Sequence, residues 1–333
     1  MTETEIKQND PADPEDILAR LKRLLGSPLE PREQPRRVHV IINPAAGHDQ
    51  PVLKVLNAAL KTAGVDWDIF ITKEAGDARR YAQEAAGAGV DVVAVHGGDG
   101  TVMEVASGLI GTGIPFAIIP GGTANVMSVE LGIPTDLVEA CALAVNPHAA
   151  VRLVDMGQVN DHYLLLRAGM GFEAAMVEGA DREMKDRLGV FAYAFSALQA
   201  LAEPPVARYR LVMDGREFET EGLACIIANS GTMGVPGIPS LTISQEIDVS
   251  DGLLDVIVVT RSDLPGIVSL IANFVAGSEN PATLQHWQVR EVTVTADPPQ
   301  KVQVDGEILM ETPVTARVIP EAVKIIVPAA VDA

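Results

Sequence analysis

Cysteine is scarce: Cys141 and Cys225 are the only two in 333 residues, far apart and in no metal-ligand spacing. That excludes a disulfide framework and a cysteine-based zinc site, and it fits a reducing interior. Basic residues are also few, with 25 Lys and Arg against 45 Asp and Glu and a formal net charge of -20. No Lys/Arg block occurs, so no nucleic-acid partner is expected, because phosphate neutralisation needs clustered cations. The same charge opposes electrostatic recruitment to an anionic membrane, leaving only transient surface contact through a local patch. Long apolar runs are missing too. The longest, residues 264–277, is interrupted at Pro265 and Gly266, and the acidic first 16 residues hold no apolar core. Neither a spanning helix nor a signal peptide is expected, and the expected location is cytoplasmic. What is present is apolar bulk: 47% hydrophobic residues, enough to bury one large core or two moderate ones.

Residues 1–35 mix acids and prolines around one amphipathic stretch, 16–25, where Ile17, Leu18, Leu21, Leu24 and Leu25 share a helical face. This reads as an N-terminal tail with a short docking helix, and a homodimer built through it is left open. From Val38 the pattern is strand, loop, helix. A strand over 38–42 leads through Asn-Pro-Ala-Ala-Gly to a helix over 51–63, opened by Pro51 and closed at Gly64. Strands at 66–72, 90–96 and 115–119 alternate with helices from Asp77 to about residue 88, over 101–110, and over 124–131 and 135–145. This alternation predicts an α/β nucleotide-binding domain over residues 36–150.

Beyond residue 151 short β runs prevail. Runs over 151–159 and 162–170 flank an Asn160-Asp161 turn, 207–213 ends at Asp214-Gly215, and 223–229, 254–260, 288–295 and 301–304 follow. The expected fold class is therefore α/β plus all-β, with an antiparallel β-sandwich over 151–320 and a C-terminal strand and tail over 321–333. The strand at 322–327 is compatible with either domain. Two helical patterns, 181–201 and 262–276, interrupt the β region; each reads as a core helix or as a flank of a lipid entry.

Three Gly-bearing loops stand at the ends of three predicted strands: Asn43-Pro44-Ala45-Ala46-Gly47, Gly97-Gly98-Asp99-Gly100-Thr101 and Pro120-Gly121-Gly122-Thr123-Ala124-Asn125. Ligands of open α/β sheets bind where such strand ends converge. Glycine lets backbone N–H groups approach phosphate oxygens, and helices starting after the second and third loops aim positive ends at the same place. Together the loops describe a nucleotide phosphate cradle, although neither G-x-G-x-x-G nor the Walker G-x-x-x-x-G-K-[ST] occurs. Asp99 is placed to face a metal or to cap the helix expected from Thr101.

The Gly97–Thr101 element with Glu104, preceded by Asn43-Pro44-x-x-Gly47 and followed by Gly122-Thr123-x-Asn125, resembles the catalytic domain of the diacylglycerol kinase family. That family includes sphingosine kinases, ceramide kinases and soluble bacterial lipid kinases. The resemblance covers about residues 36–327; NAD kinases and phosphofructokinases share the Gly-Gly-Asp-Gly-Thr element, and the other two loops separate the groups. It implies an ATP- and Mg²⁺-dependent kinase acting on a lipid hydroxyl of diacylglycerol or sphingoid type. The ATP contacts it implies fall on Asn43, Thr72, Gly97, Gly98, Asp99, Gly100, Thr101, Val102, Met103, Glu104, Gly122, Thr123 and Asn125, with Asp99 also orienting Mg²⁺. The family's Asp-Gly-Glu element falls on Asp305-Gly306-Glu307, whose carboxylates are both candidates for the base; by local chemistry alone it reads as a hairpin turn. A structural metal is implied at Asp248, Asp251 and the Leu253 carbonyl, in a loop that equally reads as an Asp-Gly turn.

The chain departs from the family at Met103, where many relatives have Asn, at Val126, where an acid is usual, and at Ala46, which replaces a small hydroxyl residue. The lost acid keeps open a second class, a catalytically degraded nucleotide- or lipid-binding regulator. A kinase of a soluble acceptor such as NAD is the other alternative.

Overall fold

The computed structural model describes residues 35–46, 51–172, 174, 206–233, 242–244, 246–260 and 284–329. The expected tail helix at 16–25, Gly47, and the helical segments 181–201 and 262–276 lie outside the described residues.

The first half is a parallel sheet in the order β2 (Asp66–Ile71), β1 (Arg37–Ile42), β3 (Val92–Gly97), β4 (Pro115–Pro120). The run of β3 is buried throughout, as a strand covered on both faces must be. Among the described residues five helices accompany the sheet: α1 (Val52–Thr62), α2 (Asp77–Gly87), α3 (Asp99–Leu109), α4 (Val126–Glu130) and α5 (Leu137–Val145). Helix α1 buries Val52, Leu56 and Leu60, four residues apart and so on one face, and packs against α5; α2 packs against α3. Asp136 caps α5, its carboxylate accepting the N–H groups of Val138 and Glu139 at 2.9 and 3.0 Å.

The expected boundaries at 150/151 and 320/321 both fall inside strands. β5 (Ala150–Val159) pairs antiparallel along β16 (Val314–Val327), and the end of β16 adds to β4 in parallel at Lys324 and Ile325. The tail strand thus belongs to the first sheet, which continues through β16 to β13 (Glu291–Asp297), β8 (Ala207–Met213) and β9 (Arg216–Gly222), with β6 (His162–Leu164) beside β5. Among the described residues ten strands form this one sheet.

A second, antiparallel sheet runs β12 (Leu284–Val289), β11 (Leu254–Val259), β10 (Ala224–Ala228), β7 (Arg167–Gly171), β14 (Lys301–Val304), β15 (Glu307–Glu311). It packs on the far half of the first, and the sandwich core joins Tyr209, Leu211, Val292 and Val294 of one sheet to Cys225, Ile227, Val256 and Val258 of the other. Cys141 and Cys225 are both buried, and neither is in a disulfide.

Two expected runs are each split between the sheets. The run 162–170 breaks at Leu165-Leu166, giving β6 and β7, and 288–295 breaks at Arg290, giving β12 and β13. The hairpins at Asn160 and at Asp214-Gly215 form as expected, with positive φ at all three residues. Among the described residues no helix is long and apolar enough to cross a membrane.

Candidate active site

The ends of β1, β3 and β4 bring the three Gly-bearing loops side by side. Asn43 N–H donates to the His96 carbonyl and Gly121 N–H to the Gly97 carbonyl, both at 2.9 Å. Asn43 then reaches across, its Nδ2 donating to Thr101 Oγ1 at 3.0 Å, while its Oδ1 accepts the Ala45 N–H at 3.0 Å. A Cβ on Gly97 would lie 2.6 Å from Thr101 Cβ, so glycine is required for the helix start to fold back onto the strand. Asn125, at φ 47°, ties off the third loop with both ends of its amide: Oδ1 accepts Gly122 N–H at 2.8 Å and Nδ2 donates to the Gly122 carbonyl at 2.7 Å. Thr123 is left exposed at the tip. Beneath the loops lies His96, 1% exposed, with Nδ1 against the Ile119 carbonyl at 3.1 Å and its pKa lowered by burial.

Other residues of the expected nucleotide set turn elsewhere. Val102 is buried in the α/β core. Both Glu104 oxygens fasten the start of α2, accepting Gly76 N–H at 2.9 Å and Ala78 N–H at 3.1 Å. Thr72 directs its hydroxyl to the Ile42 carbonyl at 3.4 Å.

Asp99 does not cap a helix starting at Thr101. It is itself the first residue of α3, and Gly98 holds the capping position. Its carboxylate points to the start of α4, where the Val126 and Met127 N–H groups reach it; burial raises its pKa against those bonds and the charge of Arg167.

From the second domain comes the Asp305-Gly306 turn between β14 and β15, with φ of 46° and 91°, a two-residue hairpin as the dipeptide suggests. The turn has a second task. Asp305 Oδ2 accepts Leu165 N–H at 2.7 Å, and Oδ1 accepts Leu166 and Arg167 N–H groups, each at 2.9 Å. Those three N–H groups belong to the elbow at which β6 leaves one sheet and β7 enters the other. Burial pushes the Asp305 carboxyl up to about 6 against the lowering by the three N–H bonds and Arg167. Glu307, two residues on, is exposed at the start of β15.

Arg167 is the residue that sequence reading passed over. Its guanidinium donates to the Thr232 and Met233 carbonyls at 3.2 and 3.3 Å, and its charge acts on both Asp99 and Asp305. The available signal was a lone cation inside the otherwise apolar Leu164-Leu165-Leu166-Arg167-Ala168. A second bridge joins the domains at Glu130 on α4, whose Oε2 accepts Ser230 Oγ at 2.7 Å and Thr232 N–H at 2.9 Å.

The loop with Asp248 and Asp251 spends its side chains on protein partners. Asp248 Oδ1 pairs with Arg152 at 2.6 Å; Asp251 accepts Leu253 N–H at 2.9 Å and Gln288 Nε2 at 3.2 Å. Among the described residues no three His, Cys, Asp or Glu side chains are grouped to hold a metal; the implied set of Asp248, Asp251 and the Leu253 carbonyl, with only two such side chains, is of a different kind.

Residues 37–159 match the Diacylglycerol kinase catalytic domain, and residues 167–327 match the YegS C-terminal NAD kinase beta sandwich-like domain. A Pseudomonas aeruginosa protein named "Probable lipid kinase YegS-like" is 33% identical over 85% of this chain and 91% of its own. An uncharacterized Synechocystis protein is 35% identical over 87% of this chain and 70% of its own. A crystal structure described as a diacylglycerol kinase from Bacillus anthracis superposes with a TM-score of 0.75 at 29% identity, covering 90% of this chain and 99% of that one. With both halves matched in order and a 33% identical relative aligned over 91% of its own length, the chain belongs to the diacylglycerol kinase and YegS-like lipid kinase family.

Proposed function

We propose that the protein transfers the γ-phosphoryl group of ATP to the hydroxyl of a lipid of diacylglycerol or sphingoid type. The observation that carries this reading is the convergence of the three Gly-bearing loops, where Asn43 N–H meets the His96 carbonyl and Gly121 N–H the Gly97 carbonyl, both at 2.9 Å. Phosphoryl transfer needs held phosphates on one side and a carboxylate near the attacking hydroxyl on the other. The three loops supply the first and the Asp305-Gly306-Glu307 turn the second. A lipid acceptor follows the names of the relatives.

Mg²⁺ fits Asp99: burial disfavours the bare charge of its carboxylate and raises its pKa, a cost that a divalent cation would offset. There the ion would offset charge on the phosphates. Between the two acids of the turn, Asp305 has three of its roughly four acceptor positions filled by backbone N–H groups. It anchors the turn on the elbow. Glu307 is exposed and is the better base. The acceptor oxygen bonds to the γ-phosphorus as the bond to the β,γ-bridging oxygen breaks; that electron pair leaves with ADP, and the hydroxyl proton passes to Glu307.

The test is transfer of label from γ-labelled ATP with Mg²⁺ to diacylglycerol, sphingosine, ceramide or NAD in mixed micelles, with Asp99→Ala as control. Label on one lipid, lost in the control, is the expected result. Label on NAD alone would overturn the lipid acceptor, and ATP binding with no transfer to any acceptor would favour a regulator.

A further inference from the structure

We propose that His96 takes up a proton from solvent when the phosphates of a nucleotide fill the cradle above it, and that the buried imidazolium then supplies the positive charge the three loops lack. The inference rests on the nucleotide half of the kinase reading above and names how that half is charged.

The need for such a charge is visible in the sequence. No Lys or Arg occurs in the three loops, 43–47, 97–101 and 120–125, and the one charged side chain they carry is Asp99. Backbone N–H groups orient phosphate oxygens but bring only partial charges.

His96 lies directly under two of the loops. It pairs in register with Ile42 of β1 and Ile119 of β4, the strands that lead into the first and third loops. A Cβ placed on Gly121 would lie 2.6 Å from His96 Cε1, 3.0 Å from Nε2 and 3.1 Å from the Ala46 Cβ, so the imidazole edge meets both loops at one point. The Ile119 carbonyl, 3.1 Å from Nδ1, can only accept, which assigns the ring hydrogen to Nδ1. That leaves Nε2 as the nitrogen that titrates. It is buried and, among the described residues, has no hydrogen-bond partner.

In the free protein burial holds the ring neutral, its pKa lowered from the ordinary 6.5, although the Ile119 and Ala46 main chains favour the proton. No acidic or basic side chain among the described residues acts on it. Asp99, three residues on, directs its carboxylate to the start of α4, and loops 43–47 and 120–125 carry no ionisable side chain. The charge that moves the balance therefore arrives with the ligand. Phosphate over the loops favours the charged ring, and does so strongly across an interior that screens little. Because the complex holds the extra proton, nucleotide affinity falls as pH rises through the interval between the free and the bound pKa.

The test uses the full chain beside His96→Asn, whose amide can donate to the Ile119 carbonyl as Nδ1–H does but cannot titrate. The ¹⁵N resonances of His96, assigned through its backbone, report which ring nitrogens carry hydrogen. Calorimetry of ADP and ATP with Mg²⁺ in buffers of different ionisation enthalpy counts the protons bound, and the nucleotide's own protonation cancels between the two proteins. We expect hydrogen on Nδ1 alone in the free protein and on both nitrogens in the nucleotide complex. Near pH 7 the wild type should take up about half a proton or more beyond His96→Asn, so its affinity falls about threefold more per pH unit. Adenosine, which has no phosphates, is expected to leave the ring neutral. A bare Nε2 in the nucleotide complex would overturn the proposal, as would equal uptake by the two proteins or protonation by adenosine. Should His96→Asn not fold, His96→Gln takes its place, and if neither folds the wild-type resonances decide alone. Protonation on nucleotide binding without transfer to any acceptor sinks the kinase reading and leaves the inference standing. Transfer with Nε2 bare does the reverse, and no binding of ATP or ADP removes both.

Discussion

Gly98 and Gly122 approach each other so closely that a Cβ on Gly122 would lie 2.6 Å from the Cα of Gly98, whereas a Cβ on Gly98 would lie 3.3 Å from the Cα of Gly122. Two Gly-bearing loops thus touch backbone to backbone, and the contact is asymmetric in what it tolerates. Gly122→Ala must push the loops apart, since the atom met at 2.6 Å is backbone and not the end of a flexible side chain. Gly98→Ala needs a shift of only a few tenths of an ångström. Both variants are expected to fold, with ATP affinity reduced at least about tenfold in Gly122→Ala and less in Gly98→Ala. Equal affinities in a calorimetric titration would refute the contact as a determinant of the cradle.

On the proposed reading Asp305 anchors the turn and Glu307 is the base, so their conservative variants are expected to fail differently. In Asp305→Asn the amide NH₂ would face Leu165 N–H where Oδ2 now accepts at 2.7 Å, leaving two donors opposed. A loss of about 1–3 kcal/mol of stability follows, with activity falling alongside it. Glu307→Gln, at an exposed position, should keep its melting temperature and lose about 100-fold or more in kcat. A fully active Glu307→Gln would move the base to Asp305, whose Oδ2 retains one open acceptor position.

The α/β alternation, the β-rich second half and the hairpins were legible because each rests on local signals: buried strand runs, a Pro at a helix start, Asp-Gly turns. Splitting of 162–170 was not legible, because Leu165 and Leu166 have strand propensity and are turned out of line by N–H bonds to Asp305, about 140 residues away. Sharing of β16 between domains has the same origin. Its bulge sets Glu321 at φ 50° so that Glu321 N–H reaches Asp155 at 2.6 Å, a long-range contact without a sequence mark. In the site, the glycines announced the loops, but the partners of Glu104 and Arg167 come from packing rather than motif.

Glu104 offers a direct check on that distinction. Resemblance assigns it to the nucleotide, whereas its two oxygens accept Gly76 and Ala78 N–H groups at the start of α2. These donors have no partner within the helix, so the carboxylate acts as a cap supplied from α3. Glu104→Ala is expected to lose about 1–2 kcal/mol in denaturant unfolding while KM for ATP stays within about twofold. A large rise in KM with unchanged stability would return Glu104 to the nucleotide site.

Asp251 provides the pH dependence. Burial, with Asp255, Asp248 and Asp155 nearby, pushes its carboxyl up to about 7. The unfolded chain ionises this group at its ordinary value, near pH 4. Between these two values the folded state binds the extra proton, so stability falls as pH rises from about 4 to about 7 and stays lower above that. Asp251→Asn removes the ionisation and keeps the contacts: Asn Oδ1 can still accept Leu253 N–H, and the Gln288 amide can turn to present its oxygen. The variant should therefore melt several degrees above wild type at pH 8, and the two should converge by about pH 4. A gap independent of pH would mean that Asp251 does not carry this cost. Mg²⁺ added at pH 8 tests the metal assignment of this loop on the same pair, since a rise in melting temperature confined to the wild type requires the ion to bind through the Asp251 carboxylate.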